Sequence, residues 1–248
     1  MDEAVYEHVA GGAGNRVLLL CDHASNAVPG LVAGGLGLPA AEMGRHIAYD
    51  IGARGVTLGL ARRLRAEALL TRFSRLVIDP NRGEDDPTLV MRLYDGTVVP
   101  GNRAAGPEEV ERRLAALHRP YHQAVEAALD RIIAAGRMPA IVSMHSFTPQ
   151  LKGRPPRPWQ VAVLWHRDAR LARPLMARLR AEGLCVGDNE PYSGELEGDT
   201  LSRHGTARGL PHVLIEVRQD LIATPEGEDT WATRLAPVLR DVMAEAGI

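Results

Sequence analysis

The sequence predicts an α/β fold in a single domain over residues 1–248, with a mixed, mostly parallel sheet and helices on both faces. Three observations predict it. Short, continuous apolar runs break off abruptly in polar residues, as strands covered on both faces do. Amphipathic stretches of helical period alternate with those runs. The 248-residue chain carries no internal repeat, no low-complexity tract and no linker long enough to divide it.

Arg16 to Asp22 (RVLLLCD) reads as the first buried strand, with His23-Ala-Ser-Asn26 in the loop at its carboxyl end. Val28 to Pro39 is rich in glycine and proline and reads as loop. Helical spacing runs from about Glu42 to Arg65, interrupted by Gly44, Gly52, Gly55 and Gly59. Leu69 to Thr71 and Arg75 to Asp79 read as strands, the second followed by an exposed loop, Pro80 to Pro87, that opens with Asn81 and Arg82. Pro107 to Ala135 is the clearest helix. It is acidic at its start, at Glu108 and Glu109, and carries Leu114, Leu117, Tyr121, Val125 and Leu129 on one stripe. Ala140 to Met144 is a strand ending at His145-Ser146, Gln160 to Trp165 continues the series, and Ala169 to Glu182 is helical. Val213 to Val217 is a late strand carrying Glu216, and Glu228 to Ala246 closes the chain as an amphipathic helix.

Bulk composition excludes several classes. With a net charge of -2, the chain has no electrostatic footprint for nucleic acid or an anionic membrane. Its two cysteines, Cys21 and Cys185, lie far apart, which argues against a disulfide framework or a zinc ribbon. Asp2, Glu3 and Glu7 stand where a leader would carry basic residues, and no apolar run approaches the roughly 18 residues of a membrane span. A cytoplasmic location is expected. No Walker A loop and no GxGxxG in a strand-turn-helix context occurs, so nucleotide binding lacks support.

Polar groups placed directly after apolar strands carry the chemistry, because open α/β sheets bind ligands beyond the carboxyl ends of their strands. Asp22-His23, Asn81-Arg82, His145-Ser146 and Glu216 converge if their strands are parallel neighbours. His23 and His145 are the natural pair of imidazole ligands for zinc, whose catalytic sites take three protein ligands and leave a position open. Asp50 is the first choice for the third ligand, with His46 and Asn26 as alternatives. Glu216 interrupts an apolar strand, where a carboxylate is costly unless it is paired, for instance with Arg218, or functional. Its functional reading is a general base for the attacking water. Arg82 offers a planar fork for a substrate carboxylate, with Asn81 and Ser146 as further substrate contacts. His118 and His122, four apart in HRPYH, lack the glutamate of a metalloprotease motif and read as helix-face or supporting residues. Ser146 as nucleophile would want a GxSxG elbow, which is absent.

The blocks CDHASNAVP, HIAYDIGA, SRLVIDPNR, SMHSFTP, VGDNEPYSG and RGLPHVLIEVRQDL together resemble the N-formylglutamate amidohydrolase family, from about residue 16 to 240. The resemblance implies a zinc-dependent hydrolase of small N-formyl or N-acyl amino acids, related in fold to zinc carboxypeptidases and aspartoacylases. His23, His145, Asn81-Arg82 and Glu216 match the family's pattern. Carboxypeptidase-like relatives use His-x-x-Glu, and Asn26 stands at the corresponding glutamate. Asp50 is therefore expected to replace it. A non-catalytic protein binding small acidic metabolites on the same scaffold is the rival expectation.

Overall fold

The structure, a computed structural model, describes residues 4–248; the acidic opening at Asp2 and Glu3 lies outside them. Strands β1 (Tyr6–Val9) and β2 (Val17–Cys21) lead into helices α1 (Ala40–Met43) and α2 (Ala53–Leu64) and strand β3 (Glu67–Thr71). A small hairpin of β4 (Leu93–Tyr94) and β5 (Thr97–Val98) precedes α3 (Pro100–Arg103), α4 (Pro107–Arg113) and α5 (Arg119–Ala134). Then come β6 (Ala140–Phe147), β7 (Val161–Leu164), α6 (Ala172–Ala181), β8 (Val186–Asp188), α7 (Thr200–His204), β9 (His212–Arg218) and α8 (Pro225–Glu245).

Seven strands form one sheet in the order β1-β3-β2-β6-β9-β7-β8. Neighbours from β3 through β2 and β6 to β9 run parallel, β1 and β7 are antiparallel to β3 and β9, and β8 is parallel to β7. The carboxyl ends of β2, β6 and β9 therefore lie side by side, which is where the sequence places its polar groups. The α/β class and the mostly parallel sheet agree with expectation.

Strand alternation divides the side chains between two faces. On one face Val213, Ile215 and Val217 join Val142, Met144 and Val163 against α2, α6 and α8, in a core that includes Val56, Leu60, Leu175, Leu235 and Leu239. Gly59 permits the α2–α8 contact, since a Cβ there would stand 2.5 Å from the Cβ of Ala232. On the other face Leu18, Leu20, Ile141 and Leu214 meet Tyr121, Val125 and Leu129 of α5, with Leu201 of the short α7.

Three sequence expectations need correction. The helix read from Glu42 to Arg65 is broken: turns occupy Gly44 to Gly52 before α2 begins. Gly52, at φ 78°, takes a left-handed turn against Ile222, where a Cβ would lie 2.1 Å from the carbonyl oxygen. Arg75 to Asp79 is not a strand but a buried turn, pinned by Ser74, whose hydroxyl donates to Ala48 O while its carbonyl accepts from Val77 N. Its apolar residues Leu76, Val77 and Ile78 fill a third core with Ile47, Phe73, Leu89 and Val99, made almost wholly from loops. The antiparallel edge strand β1, the hairpin β4–β5 and β8 were not foreseen. His145 and Ser146 lie within β6, not beyond it.

Candidate metal and catalytic site

Thr71, ending β3, fixes the turn after β2, its hydroxyl donating to Asp22 O at 2.7 Å. His23 then enters the space above β6. Its carbonyl accepts from Asp50 N at 2.9 Å, which draws the turn before α2 alongside it. Asp50 Oδ2 lies 2.9 Å from His145 Nδ1, 3.4 Å from His23 Nδ1 and 3.2 Å from Ser146 N. The ligand atoms of these three buried residues fall within 4.8 Å of one another. Asn26, by contrast, is exposed and donates to Met43 O at 2.9 Å, and His46 stands by Asp95 and Tyr94.

The outer nitrogens decide what this triangle suits. His23 Nε2 lies 2.7 Å from Asp79 Oδ1, and His145 Nε2 lies 3.3 Å from Asp22 Oδ2 and 3.1 Å from Ser143 Oγ. A carboxylate accepts only, so each Nε2 carries a proton, and with a cation in the triangle each Nδ1 would turn a lone pair to it. Two imidazole lone pairs and a carboxylate oxygen cannot crowd together without a proton or a cation between them. Two nitrogens and one oxygen, backed by carboxylates, are a donor set that fits zinc. Burial works against charge on His145, yet Asp22 and Asp50 on either side outweigh it and raise its pKa well above the ordinary value. Burial likewise opposes ionisation of Asp50, and the two imidazoles outweigh it, holding the carboxylate down.

Glu216 is the register partner of His145 across the β6–β9 pair, so both project from the same face. It is buried, and its Oε2 has no hydrogen-bond partner. Burial, reinforced by the charge on Asp50, lifts its carboxyl to about 7 against the pull of His145. A carboxyl so raised is suited to taking up and releasing a proton near neutrality.

Around these groups lies a cavity of about 720 Å³, lined among others by Asn81, Arg82, Arg75, Ser146 and Tyr192. Asn81 Oδ1 accepts from Thr200 N at 3.1 Å, and Arg82 Nη1 donates to Asn81 O at 2.8 Å. The Ser146 hydroxyl donates to Ile51 O at 2.8 Å and accepts from Gln219 Nε2 at 3.2 Å, with no imidazole as its partner. His118 and His122 support the loop beneath Asn81: His118 Nε2 donates to Arg82 O at 3.0 Å and His122 Nε2 to Pro80 O at 2.9 Å. A π-helical turn, Leu114–His118, ends on the first of them.

Sequence reasoning missed Arg75, which donates to Asp79 Oδ2 at 2.7 Å and sits 3.8 Å from Asp50 Oδ1. Among so many arginines it carried no signal. It also gave Asp79 no role; the signal there was a carboxylate two residues before Asn81, with a proline between. Asp199, whose carboxyl burial lifts to about 6, and Tyr192, beneath the Arg157 guanidinium, line the same cavity.

The model of the N-formylglutamate amidohydrolase family matches residues 15–223. A curated N-formylglutamate deformylase from Pseudomonas putida is 26% identical over 200 residues, covering 75% of this chain and 74% of its own. The crystal structure of a gene product from Agrobacterium tumefaciens superposes with a TM-score of 0.93 at 33% identity, covering all of this chain and 98% of the other. An N-formylglutamate amidohydrolase from Ralstonia eutropha shares the fold, with a TM-score of 0.72 at 21% identity over 99% of this chain and 100% of that one. Among the described residues no helix is long and apolar enough to cross a membrane. With this match over most of its length, the chain belongs to the N-formylglutamate amidohydrolase family, hydrolases that act on amide bonds.

Proposed function

We propose that the protein is a zinc-dependent amidohydrolase cleaving the amide of a small N-formyl or N-acyl amino acid such as N-formylglutamate. One observation carries this reading: a buried, unpartnered carboxyl stands on the strand beside an inward-facing His-Asp-His triangle, at the floor of one cavity.

His23, His145 and Asp50 hold the metal, and Asp79 and Asp22 keep the two rings turned. Zinc bound there polarises the acyl oxygen and lowers the pKa of water. Glu216 accepts a proton from the attacking water as its oxygen bonds to the acyl carbon. The same carboxyl then passes that proton to the amide nitrogen as the C–N bond breaks, releasing a carboxylic acid and the free amine. Arg82 and Asn81 grip the amino-acid carboxylate, and Ser146 lines the wall beside the metal ligands.

Elemental analysis of the purified protein, beside hydrolysis of N-formylglutamate with and without a chelator, tests the reading. About one equivalent of zinc and chelator-sensitive release of glutamate are expected. His145→Ala should lose both. Metal-free protein that turns over at full rate would refute the zinc assignment, and metal-loaded protein inert towards every N-acyl amino acid would refute the amidase.

A further inference from the structure

The cavity exceeds what a formyl group needs. Even whole, N-formylglutamate is a ligand of about a dozen non-hydrogen atoms, whereas about 720 Å³ falls in the range of roughly 300–1,000 Å³ that encloses drug-sized ligands. The excess has a direction. His212, Leu214 and Glu216 alternate along β9, face the same side and all line the cavity. Four residue steps along a strand reach about 13 Å. Leu164 is the register partner of Leu214, and Leu201 of α7 belongs to the same apolar cluster. All three leucines line the cavity although each is at least 93% buried, so they form an apolar wall along it, and the space beside them is a slot. Ala207 stands exposed at its rim.

At the far end of the slot the His212 ring offers no free donor. His212 Nδ1 donates to Leu210 O at 2.8 Å, and its Nε2 pairs with the Thr206 hydroxyl at 3.1 Å. A polar terminus would find both nitrogens committed. Arg75, Asn81 and Arg82 line the same cavity, and so does Arg167.

We propose that this slot is an acyl-binding subsite, and that the preferred substrates are N-acyl amino acids whose aliphatic acyl chain lies along β9 from Glu216 toward His212. The inference rests on the amidohydrolase reading above: Arg82 and Asn81 hold the amino-acid carboxylate, the scissile carbonyl sits beside Glu216, and the chain runs the other way.

The test is calorimetric titration of zinc-loaded Glu216→Gln protein with N-formyl-, N-acetyl-, N-butanoyl- and N-hexanoylglutamate. Chelator-treated wild-type protein repeats the series without a substitution. Affinity should rise by up to about fourfold per added methylene, so that the hexanoyl ligand binds at least tenfold tighter than the acetyl one. Wild-type kcat/KM should follow the same order. Ala207→Trp, at an exposed position, should shrink the hexanoyl-to-acetyl ratio several-fold; Leu214→Phe should do the same from the sheet side. Affinity that is flat or falls with chain length, while N-formylglutamate is still hydrolysed, overturns the slot and leaves the amidase standing. Affinity that rises with chain length, while nothing is hydrolysed, keeps the slot and removes the amidase. Tighter binding of N-adipoylglutamate than of the hexanoyl ligand overturns the aliphatic assignment in favour of an anionic tail near Arg167.

Discussion

One strand serves two opposite environments. Val213, Ile215 and Val217 of β9 are sealed beneath α2, α6 and α8, whereas His212, Leu214 and Glu216, alternating with them, face a cavity. Over the second face only α5 and the five-residue α7 pack, and α7 is too short to close it. Burying the apolar face stabilises the molecule in proportion to area, with each fully buried aliphatic side chain contributing roughly 1.5–3 kcal/mol. The other face holds Asp22, His23, Asp50, Asp79, His145 and Glu216 at 6% exposure or less, an arrangement that costs stability. Stability and chemistry are thus assigned to opposite faces of the same strand, and substitutions should separate them.

The sharpest separation is expected at Glu216. Glu216→Gln should lower kcat by about 10²–10⁴ while metal content is retained. In chelator-treated protein the same substitution should raise stability. The native carboxyl keeps its proton up to about 7, whereas an unfolded glutamate gives it up near 4.3. Between those values the native state binds more protons, so the wild type loses stability as pH rises, and the glutamine variant escapes that loss. Urea midpoints at pH 5 and pH 8 would show it; equal slopes for the two proteins would mean that Glu216 is not the strained group.

On the sealed side the expectation reverses. Leu239 of α8 is fully buried, and Leu239→Ala should cost roughly 2–5 kcal/mol with kcat unchanged in protein that remains folded. A loss of turnover larger than the loss of folded protein would show that the two faces are not independent.

The sealed face was also the legible one. Its strands announce themselves as apolar runs such as VLLLC and AIVSM, and its helices by period, because every residue answers to the same solvent-exclusion rule. The histidine pair and Glu216 were legible because each breaks such a run. Arg75 to Asp79 misled, since a loop buried in its own core is as apolar as a strand. Asp50 was legible as a candidate, but the break of the helix at Gly44 to Gly52 that delivers it was not. That break depends on contacts with His23 and Ile222, distant in sequence. Asp79 and Arg75 act only through groups they touch in space, and no local pattern marks such a pairing.

Under the proposed zinc reading, substitution of Asp79 should separate metal affinity from metal ligation. It holds His23 Nε2 at 2.7 Å and also accepts from Arg75. Asp79→Asn should weaken zinc binding about 10–100-fold, read by competition with a chromogenic chelator, with the three ligands intact. Unaltered affinity would mean that His23 keeps its orientation without the carboxylate.

The smallest effect concerns the three histidines beneath the Asn81 loop. His122 Nε2 donates to Pro80 O, and its Nδ1 pairs with His204 Nε2 at 2.9 Å. Burial, with His118 and His204 as neighbours, depresses His122 to about 2; burial, with Arg203 nearby, depresses His204 to about 4. An unfolded histidine takes its proton near 6.5. Below that pH the unfolded chain binds protons that the native state refuses, so stability falls as pH drops from about 6.5 toward 4. Each histidine contributes a slope of about 1.4 kcal/mol per pH unit. His204→Gln keeps a side-chain donor for His122 and removes one of the two titrations. Its stability should therefore decline less steeply between pH 6.5 and 4.5 than that of the wild type. If the two decline in parallel, His204 is not part of the acid-sensitive element.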